Sequence, residues 1–332
     1  MIVVTGAAGM IGSAVVWKLN EMGINDILLV DKLRTEDKWL NIRKRDYRDW
    51  MDRDVFLDWL FQEAEANEIT AIVHMGACSA TTETDGDYLM SNNYAYTKAL
   101  WEYCSQRNIR FIYASSAATY GAGEQGYHDM VSPEELKALK PLNKYGYSKK
   151  RFDDWAFKQK SHPSIWAGLK FFNVYGPQEY HKGRMASMVF HSFRQYKETG
   201  KVKLFQSHKE GYEDGGQLRD FVYVKDVVDI IYYMLTQNFE SGIYNIGTGQ
   251  ARSFLDLAMA TIKAAAGRED IQVSDVIEFI PMPEDLRGKY QYFTQAQMEK
   301  LGNTTYHLHM HSLEEGVKDY VQNYLSQEDA YL

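Results

Sequence analysis

The sequence predicts an α/β fold: a Rossmann-like, doubly wound parallel sheet with a smaller α/β substrate-binding domain. Three observations carry that expectation. Short β-branched runs alternate with amphipathic stretches through the first half of the chain, the pattern of βαβ units. A glycine-rich turn, Thr5-Gly6-Ala7-Ala8-Gly9-Met10-Ile11-Gly12, separates the first run from the first helical stretch. The second run ends in an acid, Asp31, 19 residues beyond Gly12.

In order along the chain, residues 2–5, 27–30, 71–75, 110–114 and 168–172 read as strands. The stretch 13–22 reads as a helix that Gly23 closes, because glycine accepts the positive φ of a C′ position. Beyond residue 172 the pattern loosens into loops, and 221–224 and 243–246 read as strands again. The domains are therefore expected to interleave. Residues 1–171 form the nucleotide-binding domain with 219–247 returning to it, and 172–218 with 248–332 form the substrate-binding domain. Residues 206–218 lack periodicity and carry four charged side chains, the marks of a mobile surface loop.

With 332 residues, 45% hydrophobic and 25% charged, the chain is of the ordinary globular class and long enough for two lobes. A net charge of -8 gives no broad basic surface for nucleic acid or anionic lipid, which favours a small-molecule partner. No apolar run reaches the roughly 18 residues of a membrane span. Met1 leads into Ile2-Val3-Val4 without a positively charged signal start, so a cytoplasmic protein is expected. Cys78 and Cys104 are the only cysteines and read as free thiols.

The turn that holds Gly6, Gly9 and Gly12 lets the backbone approach a pyrophosphate at a helix N-terminus. Asp31 would accept hydrogen bonds from an adenosine ribose and so favours NAD. Lys32, Lys38 and Arg53 would neutralise a 2′-phosphate, and the balance leans to NADP. Downstream, Tyr145-Gly146-Tyr147-Ser148-Lys149 places Tyr145 and Lys149 on one helix face. Ionising a tyrosine near pH 7 requires about 4 kcal/mol of differential stabilisation, which an adjacent ammonium and a positive nicotinamide ring can supply. Lys150 and Arg151 are expected to face solvent. Ser115 and Ser116 leave the C-terminal end of a central strand, the edge where parallel sheets place ligands; Ser116 is the expected partner of the reacting hydroxyl. Asn92 is a contact of cofactor or buried water, or else an N-cap.

The glycine turn, Ser116 ahead of Tyr120-Gly121, and the Tyr-Lys pair together resemble the extended short-chain dehydrogenase/reductase superfamily of nucleotide-sugar epimerases and dehydratases, over essentially the whole chain. More specific segments are similar to its heptose 6-epimerase family. These are Gly76-Ala77-Cys78-Ser79 with Thr81-Thr82-Glu83, Pro141-Leu142-Asn143 ahead of Tyr145, and Phe172-Asn173-Val174-Tyr175-Gly176-Pro177. His181-Lys182-Gly183 before Met185-Ala186-Ser187, and Arg287-Gly288-Lys289-Tyr290-Gln291, continue the match.

The resemblance implies oxidation of a sugar-nucleotide hydroxyl at C6 of an ADP-linked heptose by tightly held NADP, turning of the ketone, and return of hydride to its opposite face. Two acid–base groups are then needed, because the carbonyl oxygen is presented from two directions. The resemblance assigns one role to Tyr145, supported by Ser116 and Lys149, and the other to Lys182, which from the residues alone reads as an exposed loop lysine. It places Met10, Ile11, Asp31, Lys32, Lys38, Arg53, Met75, Gly76, Ala77, Cys78, Ser79, Asn92 and Val174 on the cofactor. Asn173, Arg184, His191, Phe205, Arg219 and Tyr290, with Gln206, Ser207 and His208 beside Phe205, fall on substrate. Arg219 suits a diphosphate grip, and an Arg219–Asp220 surface pair is the plainer reading. A homo-oligomer, with a pentamer as the expected assembly, and a place in lipopolysaccharide inner-core synthesis follow from the same resemblance. Arg184 stands where a small polar residue is usual, and the 206–218 loop is longer than the family's.

Among alternatives, a dehydratase would carry Thr-Asp-Glu where this chain has Ser116-Ala117-Ala118. A UDP-sugar 4-epimerase shares the serine, tyrosine and lysine but gives no reason for Lys182. A non-catalytic NADP-binding protein would not need the intact Ser116, Tyr145 and Lys149. His307, His309 and His311 share a face of a strand-like stretch, yet no Asp, Glu or Cys completes a metal set there, so a polar strand edge and no metal are expected.

Overall fold

The computed structural model describes residues 1–64, 68–129, 132–287, 291–307 and 309–332, with the backbone alone at Asp285 and Leu286. Two compact units result, Met1–Phe171 with Val227–Ile246 and Gln297–His307, and Phe172–Asp226 with Gly247–Ala296 and Leu308–Leu332.

The first unit is built on β1 (Ile2–Thr5), β2 (Ile27–Asp31), β3 (Asp49–Asp52), β4 (Ala71–His74), β5 (Arg110–Ser116) and β6 (Trp166–Phe171). The strands of the second unit are β7 (Asn173–Tyr175), β8 (Val202–Phe205) and β9 (Leu218–Tyr223). Then β10 (Gly242–Ile246) returns to the first sheet, and β11 (Ala251–Ser253) and β12 (Ile277–Ile280) belong to the second unit. The first sheet has seven strands in the order β10-β6-β5-β4-β1-β2-β3, and every pairing is parallel. Winding runs outward from β1 in one direction through β2 and β3, and from β4 in the other. The crevice between the C-terminal ends of β1 and β4 is therefore the topological switch point, where a doubly wound sheet takes its ligand.

The helix expected over 13–22 spans Met10–Glu21, starting at the glycine turn itself, and Gly23 has φ +76. The turn depends on missing side chains. A Cβ on Gly12 would lie 2.1 Å from the Gly6 carbonyl oxygen, and one on Gly6 would lie 2.6 Å from the Gly76 nitrogen. The backbone after β1 and the backbone after β4 thus touch directly.

The second unit holds a three-stranded sheet, β11-β9-β7, and a parallel pair, β12-β8. Val202, Leu204, Ala258, Ile262, Ile271, Val276 and Ile277 form its core. The expected return of 219–247 needs correction: β9 is the middle strand of this second sheet, between β7 and β11. The return begins at Val227, inside the helix Val224–Thr236, and residues 297–307 join the first unit as well. The 206–218 segment is not wholly a surface loop. The Gly215 N–H bonds the Phe205 carbonyl at 3.0 Å, the Ser207 N–H bonds Asp214 at 2.8 Å, and Gly215 and Gln217 are buried. The described residues around the histidine run form no strand; instead Asp226 accepts the His311 N–H at 2.9 Å and meets its ring Nδ1 at 2.6 Å.

Candidate active site

Gly9 caps the first helix with extended backbone and no side-chain hydrogen bond, so the first-turn N–H groups face the switch point uncovered by a capping side chain. Asp31 is buried and accepts from the Ala8 N–H at 2.8 Å, the Lys32 N–H at 2.6 Å and Lys38 Nζ at 2.8 Å. It therefore braces the glycine turn as well as ending β2. The other cations at this edge also have protein partners: Lys32 pairs with Asp54, and the Arg53 guanidinium lies 4.7 Å from the Tyr96 ring centre. The buried Asn41 side chain donates to the Ala8 carbonyl at 2.8 Å, a support for the turn that sequence reasoning did not find.

On the other side of the crevice, Met75, Gly76, Ala77, Cys78 and Ser79 follow β4. The Met75 N–H bonds the Thr5 carbonyl at 3.0 Å and the Gly76 N–H reaches Thr5 Oγ1 at 3.3 Å. Thr5 Oγ1 meets His74 Nδ1 at 2.6 Å, His74 Nε2 meets Thr97 Oγ1 at 2.9 Å, and Thr97 donates to the Asn93 carbonyl at 2.7 Å. One donor sequence satisfies all of these: the Thr5 hydroxyl donates to Nδ1 and the protonated Nε2 donates to Thr97. Burial, with Lys149 and Arg53 adding to it, holds the His74 pKa well below the ordinary imidazole range, which fits that neutral tautomer. Asn93 then grips the loop, accepting from the Cys78 N–H at 2.9 Å and donating to its carbonyl at 3.0 Å. Asn92 is not an N-cap. It is buried within the wide turn Met90–Ala95 of a longer helical run and donates to Asn93 Oδ1 at 2.8 Å.

Tyr145 and Lys149 stand on the helix Lys144–Ala156, which Asn143 caps by accepting the Gly146 N–H at 2.8 Å. Lys149 is buried and donates to the Ala114 carbonyl on β5 at 2.8 Å. Burial pulls its pKa down to about 8, with the Asp153 carboxylate opposing. Burial raises the Tyr145 phenol, and a hydrogen bond with the Ser116 side chain works against that. Ser116 Oγ also accepts the Ala118 N–H at 3.1 Å, whereas Ser115 turns away and donates to Asp153 at 2.7 Å. Lys150 does not face solvent: it is buried and paired with Asp154 at 2.7 Å, while Arg151 reaches the same carboxylate at 3.7 Å.

In the second unit Lys182 lies half-buried on the turn Tyr180–Met185. Its surroundings lower the ammonium pKa and Glu179 raises it. Glu179 is fully buried and accepts from the Ser187 N–H at 2.5 Å and its hydroxyl at 2.7 Å, closing the turn. Arg184 is exposed, and His191 is half-buried on the helix Met188–Thr199. Val174 is half-buried and Asn173 exposed on β7; Phe205 ends β8 and Gln206 is exposed beyond it. The Ser207 hydroxyl donates to the Lys209 carbonyl at 3.0 Å, and His208 Nδ1 meets the Tyr292 hydroxyl at 2.7 Å. Arg219 is buried, donates to the Leu218 carbonyl at 2.8 Å and to the Gln291 carbonyl, and does not form a surface pair with its neighbour. Asp220 is fully buried and accepts from the Thr248, Gly249 and Ala296 N–H groups. Tyr290 lies outside the described residues.

The profile of the NAD dependent epimerase/dehydratase family matches residues 2–247. The chain is 69% identical over 332 residues to an ADP-L-glycero-D-manno-heptose-6-epimerase of Fusobacterium nucleatum subsp. nucleatum, covering 100% of both chains. It is 49% identical, again over 100% of both, to a protein of that name from Nitratidesulfovibrio vulgaris strain DP4. Among solved structures, the Helicobacter pylori ADP-L-glycero-D-manno-heptose-6-epimerase matches with a TM-score of 0.75 at 27% identity, over 97% of this chain and 95% of that one. The matched span takes in the glycine turn, the end of β5 and the Tyr145–Lys149 helix, and by that match the chain belongs to the NAD dependent epimerase/dehydratase family.

Proposed function

We propose that this protein interconverts ADP-D-glycero-D-manno-heptose and ADP-L-glycero-D-manno-heptose by transient oxidation at C6 and reduction from the opposite face. The observation that carries the reading is the 69% identity, end to end, to a relative of that name. A nicotinamide dinucleotide fits the first unit. A Cβ at Gly6 or Gly12 would collide with the backbone of Gly76 or of Gly6, so only glycine lets this tight turn close at the head of the first helix, and that helix has no side-chain cap. Lys32, Lys38 and Arg53 beside Asp31 support NADP as the form bound. The nicotinamide ring supplies the hydride acceptor and donor and, when oxidised, a positive charge beside the phenol.

In this reading Tyr145 Oη takes the proton from the C6 hydroxyl, Ser116 Oγ hydrogen-bonds the same oxygen, and the Lys149 ammonium stabilises the phenolate. Burial alone disfavours that phenolate, so the two positive charges are what make Tyr145 a base near neutral pH. Lys182 Nζ serves the ketone oxygen when the sugar presents its other face. The 6-keto sugar is thereby protonated at oxygen from either direction, giving both epimers. The same reading carries a cytoplasmic homo-oligomer; among the described residues no helix is long and apolar enough to cross a membrane.

The test is to incubate the purified protein with ADP-D-glycero-D-manno-heptose, without added cofactor, and follow the C6 configuration by NMR. Conversion to a mixture of epimers is expected. No conversion after NADP and NAD are supplied overturns the proposal, and turnover of a UDP-hexose instead would replace it with a 4-epimerase.

A further inference from the structure

We propose that Asp153 and Lys170, a fully buried ion pair beneath the reacting site, act as its positioning element: Asp153 ties the Tyr145–Lys149 helix to β5 and is the counter-charge Lys149 faces, and Lys170 holds the peptide of Ser116. The inference rests on the reading that Ser116, Tyr145 and Lys149 are the reacting groups. Neither member of the pair is within the motifs that identify the site.

The geometry is that of a hub. Asp153 follows Lys149 by one helical turn, so its carboxylate lies on the same helix face, one turn further from Tyr145. Its Oδ1 accepts from the Tyr113 hydroxyl at 3.0 Å and its Oδ2 from Ser115 at 2.7 Å, both on β5. Lys170 Nζ, on β6, lies 3.2 Å from the same Oδ2. Lys170 also donates to Thr119 Oγ1 at 2.5 Å, and Thr119 donates to the Ser116 carbonyl at 2.7 Å. The Lys170 ammonium also stands 4.6 Å from the Tyr120 ring centre. One carboxylate thus sets how the helix sits on β5, and one ammonium sets where Ser116 begins its turn. A buried ion pair is weak support for stability, since an apolar pair of like volume often does as well. Its cost is better explained by what it orders.

Among the described residues, the titratable groups that act on the Lys149 ammonium are Asp153 from its own helix and Cys78 from the loop after β4, and Lys149 in turn acts on His74 of β4. Around the pair itself are Tyr113 and Tyr120, with Asp154 and Lys150 further off. Removing Asp153's charge should therefore make the Lys149 ammonium less favourable, and removing Lys170's charge should make it more so.

The experiment follows Lys149 by NMR with 13C at the lysine ε carbons, its signal assigned by loss in Lys149→Met. Asp153→Asn is expected to move the midpoint down by about 1 pH unit and Lys170→Met to move it up, although both lower the melting temperature. A purely structural pair would move both midpoints the same way or leave them unmoved, and either result overturns the electrostatic role. Each variant reports by itself if the other fails to fold. Thr119→Val, which carries no charge and cuts the arm to Ser116, is expected to lower kcat about tenfold at unchanged KM and leave the Lys149 midpoint in place; unchanged kcat overturns the positioning of Ser116. The titrations need no substrate. If they behave as expected while Lys149→Met epimerises at the wild-type rate, it is the underlying site assignment that fails.

Discussion

In the first unit, Tyr145 and Lys149 stand on a 13-residue helix whose inner face is bonded to β5 through buried side chains. In the second, Lys182 stands on a six-residue turn with an interior glycine at φ +52, closed by one buried carboxylate. The contrast matters because the proposed reaction asks the two groups for different things. Tyr145 must become an anion at neutral pH, which needs several fixed charges and a dry setting. A lysine needs no such help to donate a proton. A buried, over-determined group is sensitive to distant changes in its network, whereas a turn lysine should respond to its neighbours on the turn and little else.

The sharpest way to break the comparison is to remove each group. Tyr145→Phe and Lys182→Met are each expected to lower epimerisation by about 10²–10⁴-fold, with cofactor still bound, as read by NMR turnover and the absorbance of nucleotide released on denaturation. Wild-type turnover in either variant removes that residue from the mechanism and leaves a single acid–base group to serve both faces.

A smaller effect is expected at Glu179. Its carboxylate raises the Lys182 pKa and accepts two bonds from Ser187, so Glu179→Gln should both loosen the turn and lower that pKa. The Lys182 midpoint, followed by NMR with 13C at the lysine ε carbons, should then move to lower pH, with kcat down about tenfold. An unmoved midpoint would mean that the turn lysine does not feel the buried carboxylate that closes its turn.

The same contrast explains what could be read from the sequence. The inner strands of the first sheet were legible because parallel strands covered on both faces are unbroken apolar runs; β2 is buried at every position. β3 was not, since Asp49-Trp50-Met51-Asp52 is an edge strand with exposed acids at both ends. β7 and β11, at three residues each, are too short for periodicity to mark. The assignment of β9 to the wrong unit has a related cause: 219–247 has the strand-helix-strand pattern of the first half, and only its hydrogen bonds to β7 and β11 reveal the other sheet. At the site, glycine spacing and the Tyr-Lys spacing were legible, because backbone approach and helix geometry demand them. Asp153, Lys170 and Lys150 were not. Charged residues in sequence resemble a solvated face, and nothing local says that these three are buried. Asn93 was missed beside Asn92 because adjacent helical residues point to different sides, and sequence alone does not say which side holds the loop.

The glycines near the two groups sharpen the comparison further. A Cβ on Gly146 would lie 2.7 Å from the Ala118 carbonyl oxygen, so Gly146→Ala must push the helix off the turn that follows Ser116. That overpacking should cost about 1–3 kcal/mol and lower kcat along with stability. A Cβ on Gly183 meets nothing within 4 Å, so Gly183→Ala is limited to backbone strain at its positive φ, about 1–2 kcal/mol. Chemical denaturation and turnover on both variants check this. Equal loss of kcat per unit of lost stability would mean that the two settings are alike after all.

The smallest expected effect concerns a buried acid that no ammonium satisfies as Lys170 satisfies Asp153. Asp129 is 1% exposed; its Oδ2 accepts the Asn245 N–H at 2.7 Å and its Oδ1 has no hydrogen-bond partner among the described residues. Burial pushes its pKa up to about 6, against the partial help of the Asn245 N–H and Lys300. Between the ordinary aspartate range, about pH 4, and this raised value the folded state binds more protons than the unfolded one, so stability falls as pH rises through that window. The cost is fully present above it, at about 1–3 kcal/mol. Asn cannot ionise and keeps an oxygen for the Asn245 N–H. Asp129→Asn should therefore be more stable than wild type by about 1–2 kcal/mol near pH 7.5, and the advantage should vanish near pH 4. Denaturant titrations at the two pH values decide it. An equal gain at both would trace the effect to packing, and Asp129 would then be as well accommodated as Asp153 without a lysine bonded to it.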